Sequence, residues 1–351
     1  MATITDGRDA PGDVESQIVN ATDRAGKTYS FDERHEAGRP ADWWFQESHE
    51  GLILFTVFYT QACRWSSCTG CNLPSVSSCQ HVGWRSIIEQ VDAMLADPAV
   101  QSRRRDITKV IVSNNGSVLD EETFSSTALM YLVVQLNLHL PRMKVLSLET
   151  RVEYVDLAEL EFLSRAIKER EEPAEIELAI GFEAFDDRIR NKVFQKGLSL
   201  GAFEGLVRNI SRPHYRLKCY FMQKPVVGMS DEQAICDIRQ GIDYLSGLAG
   251  KYGVAINMHL NPTFVARGTP LETAFRAGDY APPRLLDVAR AVMHGMGKNI
   301  SIFIGLSDEG LAAEGGSFIR PGDETLVQHL EMFNRTEDYK VLMESCCLRH
   351  N

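Results

Sequence analysis

Three cysteines, Cys63, Cys68 and Cys71, fall within nine residues in the segment TQACRWSSCTGCNLPS, and Cys79 follows just beyond. Thiolate is a soft ligand that selects zinc, Cu(I) or iron–sulfur centres, and three on one short loop can wrap a single centre. Ligand number separates two chemistries. A structural zinc takes four protein ligands in a closed site. Cys63, Cys68, Cys71 and Cys79 could supply them within 17 residues, with His81 in reserve. A cubane bound by only three cysteines leaves one iron free to hold something else. The chain has eight cysteines, but this crowding is not the spacing of a small disulfide scaffold and reads first as a metal site.

The elements that must position this loop are legible in the hydrophobic pattern. Short apolar, β-branched runs occur at Leu52–Thr60, Ile107–Ser113, Met143–Glu149, Ile176–Glu183, Tyr215–Met222, Val254–Leu260 and Ile300–Leu306. They read as near-continuous parallel strands covered on both faces. Segments of helical period lie between them, as in Trp84–Leu95 and Asp231–Leu248. The strand-to-strand interval is mostly roughly 35–45 residues, the length of one βα unit. The pattern predicts a parallel barrel, complete or partial, with a doubly wound open sheet as the alternative. The cysteine loop leaves the first strand at its C-terminal end, the face on which barrel active sites form.

Polar groups recur at the other strand ends. The second strand runs into Ser113-Asn114-Asn115-Gly116-Ser117, and the third ends in Glu149, Thr150 and Arg151. The fourth carries Gly181 and Glu183 on one face, the fifth ends at Lys224, and the sixth at Asn261 and Thr263. A structural barrel has no need of such a set.

C-x4-C-x2-C after an opening strand, followed by βα units, resembles the radical S-adenosylmethionine (radical SAM) superfamily. The first cysteine gap is one residue longer than the family's commonest spacing. Gly70 stands where an aromatic residue usually precedes the last cysteine, and the family's Gly-Gly-Glu is absent. The segments SNNGSVLDEETF, LETRVEYV, AIGFEAFDDRIRNKVFQKG and HLNPTFVARGTPLE resemble the branch that holds the archaeosine-biosynthesis and elongator-type proteins. The resemblance spans roughly residues 52–340. It implies a partial parallel (β/α)6 TIM-like barrel over residues 51–306, with a polar N-terminal arm (1–50) and a C-terminal βα extension ending in a helical stretch (307–351). It further implies a [4Fe–4S] cluster on Cys63, Cys68 and Cys71, with S-adenosylmethionine chelating the open iron. Ser113, Asn115, Gly116, Ser117, Glu149, Arg151, Gly181, Glu183, Lys224 and Asn261 become candidate cofactor contacts. Reductive cleavage would give a 5′-deoxyadenosyl radical that abstracts hydrogen from a C–H bond. The electron would come from an external flavodoxin- or ferredoxin-type partner. The branch points to a tRNA nucleoside as substrate; a small metabolite or a peptide is the alternative, and a non-catalytic four-cysteine zinc protein is the rival of another class.

Charge bears on these choices. Lys and Arg number 37 against 48 Asp and Glu, a net of −11. Residues 1–50 hold 11 acidic and 5 basic side chains, so the remainder is nearly balanced and only the arm is strongly acidic. A hydrophobic share of 44% excludes wholesale disorder. The N-terminal stretch has no basic and apolar secretory signal and no run is long enough for a membrane span, which predicts a cytoplasmic protein. Arg103-Arg104-Arg105 reads as a solvated basic turn, and His81, His214 and His259 as isolated structural histidines. Cys346 and Cys347 read as part of a frayed tail, with a lid thiol as the alternative.

Overall fold

A computed structural model describes residues 11–170 and 172–347, and all seven apolar runs form strands in it. They are β2 (Gly51–Val57), β3 (Ile107–Ser113), β4 (Val145–Thr150), β5 (Glu175–Glu183), β6 (Arg216–Gln223), β7 (Ile256–Pro262) and β8 (Ser301–Ile304). One further strand, β1 (Asp42–Ser48), precedes them. The single sheet runs in chain order from β1 to β8; β1 pairs antiparallel with β2, and every other neighbour is parallel. The sheet curls strongly, because side chains from strands that are not neighbours meet. Tyr220 of β6 donates to Glu149 of β4, Lys109 of β3 pairs with Glu177 of β5, and Arg216 of β6 reaches Glu50 in the turn before β2. This is a half-barrel. The last strand of the 51–306 range is β8, paired in parallel with β7 from Asn257 and Ser301 onward, so the sheet continues past six parallel strands to a seventh.

The strands differ from expectation in one respect that matters for function. They are not apolar on both faces. Val110, Val112, Leu146, Leu148, Leu178, Ile180, Leu217 and Cys219 point outward and are buried in the main core. The alternate positions Lys109, Ser147, Glu177, Lys218, Asn257 and His259 point into the lumen and are equally buried. Lys109 pairs with Glu50 and Glu177, each at 2.8 Å, and Ser147 donates to Glu177 at 2.8 Å. Arg216 completes this charged floor.

The helices α1 (Pro11–Arg24), α2 (Trp84–Ala96), α3 (Pro98–Arg103), α4 (Ser126–His139), α5 (Leu157–Ile167) and α6 (Leu200–Ser211) come before β6. After it come α7 (Asp231–Tyr252), α8 (Pro270–Ala277), α9 (Leu285–Val292), α10 (Glu324–Thr336) and α11 (Tyr339–Cys347). α2 buries Ile87, Val91, Met94 and Leu95 as its 3.6-residue stripe requires. α7 starts at a Ser230/Gln233 capping box and stops at Gly253, whose φ of +66° would strain most other residues. The tail is helical to Cys347; the side chains of Cys346 and Cys347 lie outside the described residues.

The open edge of β8 is finished by α10. The Asn334 amide accepts from the Ile304 N–H and donates to the Ile304 carbonyl, both at 2.8 Å, and Glu337 accepts from the Ile302 N–H at 3.0 Å. Side chains thus occupy the ladder positions another strand would use. From Pro11 onward the arm carries regular structure that its composition does not suggest. Val14 and Ile18 of α1 pack on Ala62 beside the cysteine loop, and Trp44 of β1 stacks on Phe55 at 4.3 Å.

Candidate active site

The loop after β2 holds its shape through bonds to four distant segments. The Lys27 amine donates to the Ser66 carbonyl at 2.8 Å, and Ser66 Oγ donates to the Cys63 carbonyl at 2.5 Å. Arg64 makes a bidentate pair with Asp120 at 2.6 and 2.7 Å. Thr69 N–H donates to the Phe194 carbonyl at 3.0 Å, and Asn72 Nδ2 donates to the Leu311 carbonyl at 2.9 Å. A Cβ on Gly116 would lie 3.1 Å from Cys63 Cα, so the turn after β3 approaches this loop as only glycine allows without displacement.

Cys63, Cys68 and Cys71 all line one cavity of about 660 Å3 that fills the lumen. Cys79 is not among its lining residues. Its Sγ donates to Glu15 at 3.7 Å and its N–H to Glu33 at 2.7 Å. Among the described residues, no three His, Cys, Asp or Glu side chains converge as ligands of a single ion must. Cys79, bonded to Glu15 and Glu33 outside the cavity, does not stand with the other three as a fourth ligand. Three soft donors around a cavity fit a centre larger than one ion, with a face left open. Burial pushes the Cys68 thiol up to about 12, with Lys196 pulling the other way, and burial raises Cys71 too, opposed by Lys27. Such thiols ionise when a metal replaces the proton.

Most of the strand-end candidates reach the same cavity. Ser113, Asn115, Gly116, Glu149, Arg151, Gly181, Glu183 and Asn261 line it. Asn115 has a φ of +59°, and its buried Nδ2 has no partner. Glu149 accepts from the Tyr220 hydroxyl at 2.5 Å, and burial raises its carboxyl above the usual range. The Arg151 guanidinium lies 4.4 Å from the Trp65 ring centre and donates to Glu153 at 2.5 Å and to the Lys196 carbonyl at 3.0 Å. Glu183 pairs with Lys196 at 2.8 Å. A Cβ at Gly181 would collide with that Lys196 amine, so the pair needs the bare backbone there.

Two candidates are not brought in. Lys224 directly follows β6, but its amine pairs with Asp231 at 2.7 Å and lies over the Tyr280 ring, turned to the start of α7 and away from the cavity lining. Ser117 stands behind the lining, its hydroxyl 2.5 Å from that of Thr150. His259 is the converse correction. It lines the lumen with a buried, unpartnered Nδ1, and burial together with Lys218 and Lys109 keeps the ring neutral. Lys196, Tyr220 and Trp65 were also missed. The period-2 placement of polar residues within the apolar runs was the available signal for Tyr220 and His259; none existed for Lys196 or Trp65, which depend on loop packing.

No family model matches the chain. It is 21% identical over 322 residues to an uncharacterized protein of Methanocaldococcus jannaschii, covering 89% of this chain and 85% of that one. It is 27% identical over 236 residues to archaeosine synthase subunit beta of Methanosarcina acetivorans, covering 67% of this chain and 64% of that protein. Among solved structures, the Elp3 of Methanocaldococcus infernus with an N-terminal deletion gives a TM-score of 0.45 at 13% identity, over 64% of this chain and 53% of that one. Streptococcus suis SuiB bound to S-adenosylmethionine gives 0.45 at 10% identity, over 79% and 56%. The similarity to archaeosine synthase subunit beta and the motifs' resemblance to the archaeosine-biosynthesis branch point the same way.

Proposed function

We propose that this chain is a radical SAM enzyme, with Cys63, Cys68 and Cys71 holding a [4Fe–4S] cluster. The observation that carries the reading is that these three thiols share the cavity with the ends of β3, β4, β5 and β7, while Cys79 is bonded elsewhere. When bound, the cluster and S-adenosylmethionine supply hydrogen-atom abstraction begun by one-electron cleavage of the sulfonium. The protein's part is binding, orientation and exclusion of water. Ser113 and the unpartnered Asn115 amide suit the amino and hydroxyl groups of the cofactor. Glu149, oriented by Tyr220, suits a ribose hydroxyl. Arg151 and Lys196 provide positive charge for a carboxylate, each steadied by an acidic neighbour, Glu153 and Glu183.

Anaerobic reconstitution followed by iron and sulfide analysis and an ultraviolet–visible spectrum tests this reading. About four irons with matching sulfide per chain and a broad brown absorption are expected. Stoichiometric zinc without sulfide would refute it.

For substrate, the similarity to archaeosine synthase subunit beta supports a tRNA nucleoside, and the electron would come from a flavodoxin- or ferredoxin-type donor. Contact with tRNA phosphates would make binding fall steeply with salt. Salt-independent or undetectable tRNA binding would move the assignment to a small metabolite or peptide. Among the described residues no helix is long and apolar enough to cross a membrane.

A further inference from the structure

Residues 184–199 connect β5 to α6, and their backbone includes a π-helical turn, Arg188–Val193, closed by the Phe194 N–H on the Ile189 carbonyl at 2.8 Å. π turns of this kind are rare and recur at functional sites. The Arg190 side chain is fully buried inside this loop. It donates to the carbonyls of Ala184 at 2.9 Å, Phe185 at 2.8 Å and Leu198 at 2.8 Å, and to Asp187 Oδ1 at 2.8 Å. Its guanidinium lies 4.9 Å from the Phe182 ring centre. One side chain therefore ties both ends of the loop together, and the Arg190 carbonyl also accepts the Lys196 N–H at 2.8 Å.

The far edge of the same loop faces the cysteines. The Val193 carbonyl accepts from Thr69 Oγ1 at 3.1 Å, the Phe194 carbonyl from the Thr69 N–H at 3.0 Å, and the Gln195 carbonyl from the Trp65 indole at 2.8 Å. The Phe194 ring packs where a Cβ on Gly70 would lie 2.8 Å away, and Lys196 lines the cavity with Cys68, its amine paired with Glu183. An apolar side chain would fill the Arg190 volume without the cost of burying a guanidinium, so the bonds themselves are what the position supplies.

We propose that Arg190 is a positioning residue: it sets the loop so that the Val193–Gln195 carbonyls hold the cysteine loop and Lys196 stands in the cavity with Cys68, fixing the charge and hydrogen-bond environment of the metal centre. The proposal rests on the assignment of Cys63, Cys68 and Cys71 as cluster ligands. It acts on the reduction potential, which net charge and hydrogen bonding near the sulfurs control. Loosening Lys196 withdraws positive charge and makes the centre harder to reduce.

The test compares anaerobically reconstituted wild type with R190Q and T69V, the second removing only the Thr69 hydroxyl from the contact. Circular dichroism and iron content report folding and loading, and redox titration followed by electron paramagnetic resonance reports the potential. Wild-type iron content is expected in both variants, with the midpoint potential lowered in each and the double variant shifted no further than R190Q. Wild-type potentials in both loaded variants would overturn the proposal. If R190Q does not fold, T69V decides by the same criterion. A wild-type protein that takes up no iron and sulfide would overturn the cluster assignment, and the proposal with it, before either variant is compared.

Discussion

Lys218→Met probes the charged floor of the lumen. Lys218 is buried, and among the described residues its amine donates one long bond, 3.2 Å to Asn257 Oδ1, and lies over the Phe303 ring. Burial first, then repulsion from Lys109, lowers its amine from 10.5 to about 8. That displacement corresponds to about 3 kcal/mol, at about 1.4 kcal/mol per pH unit. Below about pH 8 the amine is charged in both states, and the folded protein bears this whole destabilisation. Between about 8 and 10.5 the unfolded chain holds a proton that the folded one has released, so stability rises with pH across that window. The variant lacks the group and lacks this slope. Unfolding free energies from denaturant titration near pH 7.5 and near pH 10 give the comparison, and subtracting the two proteins cancels the titrating groups that lie away from Lys218. Wild type should gain about 2 kcal/mol on Lys218→Met between the two pH values, most of the window being covered. Removing a weak hydrogen bond offsets the variant equally at both, by about 1 kcal/mol. Identical pH dependence in the two proteins would show that the ammonium is not held in a poorly solvated lumen.

Replacing Cys63, Cys68 or Cys71 by Ala should each abolish iron uptake on reconstitution, while Cys79→Ala keeps it, because Cys79 faces Glu15 and Glu33; iron and sulfide analysis checks both halves. Gly116→Ala puts a methyl group 3.1 Å from Cys63 Cα and 3.2 Å from its Cβ, and should cost about 1–3 kcal/mol of local overpacking. Iron content should fall relative to Gly247→Ala, whose added Cβ meets nothing within 4 Å. Asn334→Ala strips the partners from the Ile304 N–H and carbonyl, and should lower stability by about 2–4 kcal/mol in thermal or denaturant unfolding. An unchanged Tm would mean that α10 does not seal the sheet edge.

Hydrophobic periodicity was enough to locate the seven parallel strands and the helices between them, because outward burial is a local, repeating demand on residue type. The C-x4-C-x2-C spacing was likewise a local signal, and it placed the metal-ligand candidates at the mouth of a barrel. The same pattern concealed the lumen. Lys109, Glu177 and Lys218 sit singly within apolar runs, and only curling of the sheet brings Glu50, in the turn before β2, against Arg216 of β6. The edge strand β1 was hidden in a polar arm, since its partner and its Trp44–Phe55 stacking are supplied by β2. Lys224 illustrates the opposite limit: its place at a strand end was legible, but the rotation of its side chain toward Asp231 was decided by α7 packing nearby. Lys196 was beyond reach of any spacing rule. Its place in the cavity with Cys68 exists because a buried arginine and a π-turn fold residues 184–199 back on the cysteine loop, a contact between segments more than a hundred residues apart. Local chemistry sets which residues can form strands and bind metal; closure of the half-barrel sets which of them share a cavity.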